Sequence, residues 1–124
     1  MRKQRKNDDA LPVCIKEWGW KYHHVGIPTS EVKENEVYIE RAKAYVSGFS
    51  ACPCGVEWLR WLAGSPLPSL VKTIPHLSFV VKDIEWELGN RDFNILVPLY
   101  SPADGLRTAM IELSGIPIEL LQFD

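Results

Sequence analysis

Apolar residues in this chain come in short runs, not long helical stripes, and proline, glycine and small polar clusters cut the runs apart. The first run spans Tyr22 to Ile27. In a strand, Tyr22, His24 and Gly26 would share one face, with His23, Val25 and Ile27 on the other. Val37-Tyr38-Ile39 and Ala44-Tyr45-Val46-Ser47-Gly48-Phe49 read as further strands, although Tyr38, Ala42 and Tyr45 also sit at helical spacing. The turn Ala51-Cys52-Pro53-Cys54-Gly55 leads into Val56–Leu62, where Glu57, Leu59 and Trp61 share a face. Ala63–Ser69 holds two prolines and a glycine and is the clearest linker.

Beyond the linker, Pro75–Val81 is β-branched and aromatic, as a buried strand should be. Asp83–Leu88 reads as a short helix, with Gly89 as its C-terminal stop. Strands follow at Phe93–Tyr100, Leu106–Leu113 and Ile116–Phe123, broken by Ser101–Gly105 and by Ser114-Gly115. This half therefore reads strand, short helix, three strands. The first half repeats the order, but Thr29–Asn35 has too few apolar positions for more than a loop or one turn. The expected fold is α+β, built of two βαβββ units with the first helix reduced. The units are repeats 18–62 and 70–124 of a single domain over 18–124, preceded by a flexible tail over 1–17.

Composition narrows the picture. At 124 residues, 46% hydrophobic and 24% charged, the chain suits one domain with a real core. A net charge of −2 does not describe a nucleic-acid surface. The basic start, with Arg2, Lys3, Arg5 and Lys6, reads as solvated tail, because no apolar segment of signal-peptide or membrane-span length follows it. Three cysteines, an odd number, and the one-residue spacer of Cys52-Pro53-Cys54 argue for reduced thiols and a cytoplasmic protein.

The candidate chemistry lies in a repeated order. His24 opens the first strand and Glu57 sits in Val56-Glu57-Trp58-Leu59. His76 opens the strand after the linker and Glu119 sits in Ile118-Glu119-Leu120-Leu121. A carboxylate in an apolar strand is costly to bury unless it is paired or metal-bound. If the four faces converge, one divalent cation ligated by His24, Glu57, His76 and Glu119 answers all four burial problems. Mixed imidazole and carboxylate donors suit nickel, zinc, cobalt, iron or manganese. His23 competes with His24, and Glu112 with Glu119. Leu59, Trp61, Ser78, Val80 and Leu121 share strand faces with these residues and are the candidate substrate pocket.

In these motifs, residues 22–123 resemble the vicinal oxygen chelate superfamily. It includes glyoxalase I, methylmalonyl-CoA epimerase, extradiol dioxygenases and bleomycin-resistance proteins. The resemblance rests on His23-His24-Val25-Gly26-Ile27, Val56-Glu57-Trp58-Leu59, Pro75-His76-Leu77-Ser78-Phe79-Val80-Val81-Lys82-Asp83-Ile84 and Gly115-Ile116-Pro117-Ile118-Glu119-Leu120-Leu121. It implies a curved, mostly antiparallel sheet forming a cleft around one metal, and a homodimer. The order His, Glu, His, Glu is most similar to bacterial glyoxalase I. That enzyme has an arginine four residues after its first ligand and an asparagine four after its second, both holding glutathione. Here Pro28 and Trp61 stand in those places. The expected function is a metal-dependent isomerase or lyase of the glyoxalase type, without a carried-over glutathione site. It would act on a small oxygen-chelating substrate through an enediolate-like intermediate, with Glu119 or Glu57 as the proton-transferring base. The alternative is a non-catalytic small-molecule binding or resistance-type protein of the same fold.

Overall fold

A computed structural model describes residues 9–124, and within them each expected strand forms. The strands are β1 Lys21–Pro28, β2 Val37–Ile39, β3 Ala44–Ser47, β4 Val56–Trp61, β5 His76–Val80, β6 Asn94–Ala103, β7 Leu106–Leu113 and β8 Ile116–Phe123. They make one curved sheet in the order β2-β3-β4-β1-β5-β8-β7-β6. Each half of the chain supplies four neighbouring strands, and the halves join where β1 runs antiparallel to β5. Within each half the first and last strands pair in parallel, β1 with β4 and β5 with β8. The second half has the βαβββ order in full, with helix α3 (Ile84–Asn90) after β5, while residues 29–36 of the first half form no helix.

One face of the sheet carries the main core. Trp20, Phe79, Val81, Ile84, Ala109, Ile111, Ile118 and Leu120 cluster there. Trp20, Ile111 and Leu120 are almost wholly buried, each contributing about 1.5–3 kcal/mol over exposure. Helix α3 is fixed at its start by two side chains. Asp83 accepts a hydrogen bond from the Trp86 amide at 3.0 Å, and Gln122 Oε1 accepts from the Ile84 amide at 2.8 Å, tying the helix to β8. Asp83→Ala should therefore cost about 1 kcal/mol of unfolding free energy, read from the midpoint shift in urea at unchanged slope.

Several local expectations are corrected. Residues 1–8 of the expected tail lie outside the described residues. Within the rest of it, Val13–Lys16 form a helical turn, α1, and Cys14, Ile15 and Trp18 pack on the main core. A five-residue helix, α2 (Ser69–Thr73), starts where the linker was expected to end, and it buries Val71. Helix α3 runs through Gly89 to Asn90, and the left-handed backbone falls on Asp92 (φ 53°). The strand at Ala44 stops at Ser47, because Gly48 takes φ 91° and turns the chain into a 3-10 turn at Phe49–Ala51. β6 continues through Pro102, as an edge strand with register shifts can. None of the helices among the described residues is long and apolar enough to cross a membrane.

Candidate metal centre

Register brings the distant residues together. Gly26 pairs with Glu57 across the parallel β1/β4 ladder, and Ser78 pairs with Glu119 across β5/β8. At the junction of the halves His24 pairs with Ser78 and Gly26 with His76. Paired residues project from the same side of a sheet, so His24, Gly26, Glu57, His76, Ser78 and Glu119 all face one way, opposite the main core. The two halves are equivalent here, since each histidine lies two residues before the residue that pairs with its glutamate. Gly26 and Ser78 are counterparts but act differently. The His76 ring lies over Gly26, where a Cβ would come within 2.1 Å of Cε1. Ser78 Oγ lies 2.9 Å from His24 Nε2 and donates to Glu119 Oε1 at 2.8 Å.

The result is a tight cluster. One ligand atom from each of His24, His76 and Glu119 lies within 4.8 Å of the others. His24 Nε2 is 3.3 Å and His76 Nε2 3.6 Å from Glu119 Oε1. Ligands about 2.0 Å from a tetrahedral zinc lie about 3.3 Å apart, so these separations fit atoms that share one ion. Glu57 stands at the rim, its Oε1 3.7 Å from His24 Nε2, and makes no hydrogen bond to another described side chain. Thr108 donates to Glu119 Oε2 at 3.0 Å, so both oxygens of Glu119 are held.

The electrostatics also fit a cation. Burial raises the Glu57 carboxyl above the ordinary range, against the pull of His24, and the neighbouring Glu119 adds to the rise. Burial acts on Glu119 in the same sense, but hydrogen bonds and positive charge from His24 and His76 outweigh it and hold the carboxyl well below its usual range. His76 Nδ1 is buried with no hydrogen-bond partner among the described residues, an unmet polar group on the ring that lies over Gly26. Among the described residues no lysine or arginine joins the cluster, and the two imidazoles with the Glu119 carboxylate are a donor set that could hold a divalent ion.

The cluster opens into a cavity of about 460 Å³. Of the expected pocket residues, Leu59, Trp61 and Leu121 line it. Ser78 does not; it is fully buried beneath the cluster, donates to Glu119 and lies against His24. Val80 does not line it either. Glu112 stands apart, accepting from Asn94 at 2.7 Å on an exposed face.

His23 departs from strand alternation. Tyr22 pairs with Phe79 and His24 with Ser78, so β1 has one residue more than β5 over this step, and His23 is the extra one. The bulge puts both histidines on the cavity wall. His23 stacks on Phe49, ring centroids 4.8 Å apart, and its Nδ1 lies 2.8 Å from His24 Nδ1. When His24 offers the Nε2 lone pair to a cation, its proton sits on Nδ1 and His23 is the acceptor. Burial, helped by His24, pushes His23 below the ordinary histidine range and keeps it neutral for this task. His23→Ala should weaken metal binding by about 10–100-fold, the usual cost of an outer hydrogen-bond partner, as measured by calorimetric titration. Thr108 has no place among the residues expected from the sequence. A lone hydroxyl between Leu106 and Met110, both on the cavity wall, was its only signal.

No known protein family and no curated protein matches this chain in sequence. Among solved structures it is similar to a hypothetical protein from Bacillus halodurans C-125, with TM-score 0.67 and 16% identity, over 85% of this chain and 95% of that one. It is also similar to the methylmalonyl-CoA epimerase of Mycobacterium tuberculosis, with TM-score 0.60 and 15% identity, over 84% of this chain and 88% of that one. At such identities the shared property is the fold, and this chain has the fold of both.

Proposed function

We propose that this protein is a divalent-metal-dependent isomerase or lyase of the vicinal oxygen chelate type, moving a proton on a carbon beside two neighbouring oxygens of a small substrate. The observation that carries the reading is the meeting of His24, His76 and Glu119, with Glu57 at their edge, on the wall of a largely apolar cavity. The likeness in fold to a protein named as an epimerase supports it.

His24, His76 and Glu119 would hold the ion, which supplies Lewis acidity to the substrate oxygens and so acidifies the adjacent C–H bond. Ser78 and Thr108 keep both oxygens of Glu119 in place, so that carboxylate is committed to ligation. Glu57 is the freer of the two carboxylates, and its raised proton affinity suits a base that takes a proton and returns it. Apolar walls at Leu59, Trp61 and Leu121 keep water from competing for that proton.

The test is solvent exchange. In deuterated water, protein loaded with zinc, nickel or manganese should introduce deuterium beside the carbonyl of one or more members of a panel of small hydroxyketones, followed by NMR. Chelator treatment should stop it. Exchange that survives complete metal removal would overturn the reading. Two histidines and one carboxylate are also the donor set of non-haem iron oxygenases. The second carboxylate, Glu57, has no necessary part in such a site and favours proton transfer, and oxygen uptake by the iron-loaded protein would favour the oxygenase instead.

A further inference from the structure

His23, His24, His76, Glu57 and Glu119 cluster on the cavity wall, Tyr100 adds a phenol within electrostatic reach of Glu119, and apolar side chains such as Phe49, Leu59, Trp61, Val71, Met110 and Leu121 make most of the rest. Val71 and Met110 belong to a second packed cluster that Trp61, Leu67 and Tyr100 join, so the wall is built into the fold. Among the described residues no lysine or arginine lines the cavity. Arg41 stacks on Tyr100, 4.4 Å from its ring centroid, and lines an adjoining recess of about 180 Å³ that shares Ala42, Leu67 and Tyr100 with the cavity. Two carboxylates in the polar cluster add repulsion against any second anionic group on a ligand.

A cavity of about 460 Å³ accommodates a substituted aromatic ring or a branched alkyl chain, and its lining offers no lysine or arginine to a carrier's phosphates. Resting on the metal-dependent reading above, we infer that the substrate is a small molecule with an uncharged apolar body, aromatic or branched, ending in two vicinal oxygens, and that it is bound without a thiol or nucleotide carrier. The oxygens meet the polar cluster and the body lies between Leu59, Trp61 and Leu121.

Calorimetry with hydroxamates as probes tests this, because a hydroxamate presents two neighbouring oxygens and leaves the body free to vary. The full chain is first titrated with zinc or manganese alone, then the loaded protein with benzohydroxamate, acetohydroxamate and coenzyme A. Benzohydroxamate should bind at least about tenfold more tightly than acetohydroxamate, the return on burying a ring in place of a methyl. Coenzyme A should bind at least tenfold more weakly than benzohydroxamate. Trp61→Leu, on the wall where the body lies, should lower benzohydroxamate affinity severalfold and acetohydroxamate affinity by less. Metal binding with equal affinity for the two hydroxamates, or with coenzyme A the tightest ligand, would overturn the substrate class alone. Failure to bind metal at all would overturn this inference together with the reading it rests on.

Discussion

Gly26→Ala is expected to reduce divalent-metal affinity by at least about 100-fold while leaving the protein folded. A Cβ at this position would stand 2.1 Å from His76 Cε1, 2.6 Å from Nε2 and 2.7 Å from Nδ1. No side chain tolerates such contacts, so the imidazole must leave the surface of β1, and its Nε2 leaves Glu119 with it. The loss exceeds that of an outer-shell partner, because a ligand itself is displaced. The backbone at Gly26 is ordinary strand, outside the left-handed range, so alanine brings no conformational strain there and gains a little entropy against the unfolded chain. Circular dichroism and the melting temperature of the metal-free protein should therefore stay close to wild type while the metal titration flattens. Wild-type metal affinity in this variant would show that His76 takes no part in binding the ion.

Glu57→Gln is expected to separate chemistry from ligation. Glutamine keeps the size of the side chain and removes the proton acceptor. Metal affinity should stay within about tenfold of wild type, and deuterium exchange should fall by about 100- to 10,000-fold, the range that one general base supplies. Glu119→Gln should instead lower metal affinity, and exchange with it, since Glu119 lies between the two imidazoles, 3.3 and 3.6 Å from their Nε2 atoms, and its loss empties the site. Equal behaviour of the two variants would contradict the division of labour drawn between these carboxylates.

Much of this was legible in the chain because strands of period two carry their partners' identities with them. Once Val56–Leu62 and Ile116–Phe123 are read as strands, the faces of Glu57 and Glu119 follow. The parallel pairing of each first and last strand then puts the glutamates beside the histidine strands. The same reasoning places His24 and His76 on the site face; Glu112 shares the face of Thr108 and Met110, and the match of Ile118–Leu121 to Val56–Leu59, not parity, favours Glu119 over it. It failed at His23 because a bulge, which depends on the partner strand, shifts the face of the extra residue. It failed at Val80 because sharing a strand face with His76 and Ser78 does not ensure reaching the cavity, which is bounded by α2 and β7 residues that no local pattern ties to β5. Ser78 was read as lining and is instead support, since which of two counterparts, Gly26 or Ser78, lies under a ring is a matter of packing between halves. The helical turn at Val13–Lys16 has four residues, too few for periodicity to register, and it packs only because Trp18 and the core are there to receive it.

The central claim is that one divalent ion is held by His24, His76 and Glu119. The direct measurement is elemental analysis of protein purified without an affinity tag and loaded with metal, followed by anomalous diffraction from its crystals. One ion per chain, with an anomalous peak bounded by the two imidazoles and the Glu119 carboxylate, is the predicted result. A protein that takes up no ion at millimolar metal, or whose anomalous peak lies away from those three side chains, would contradict it.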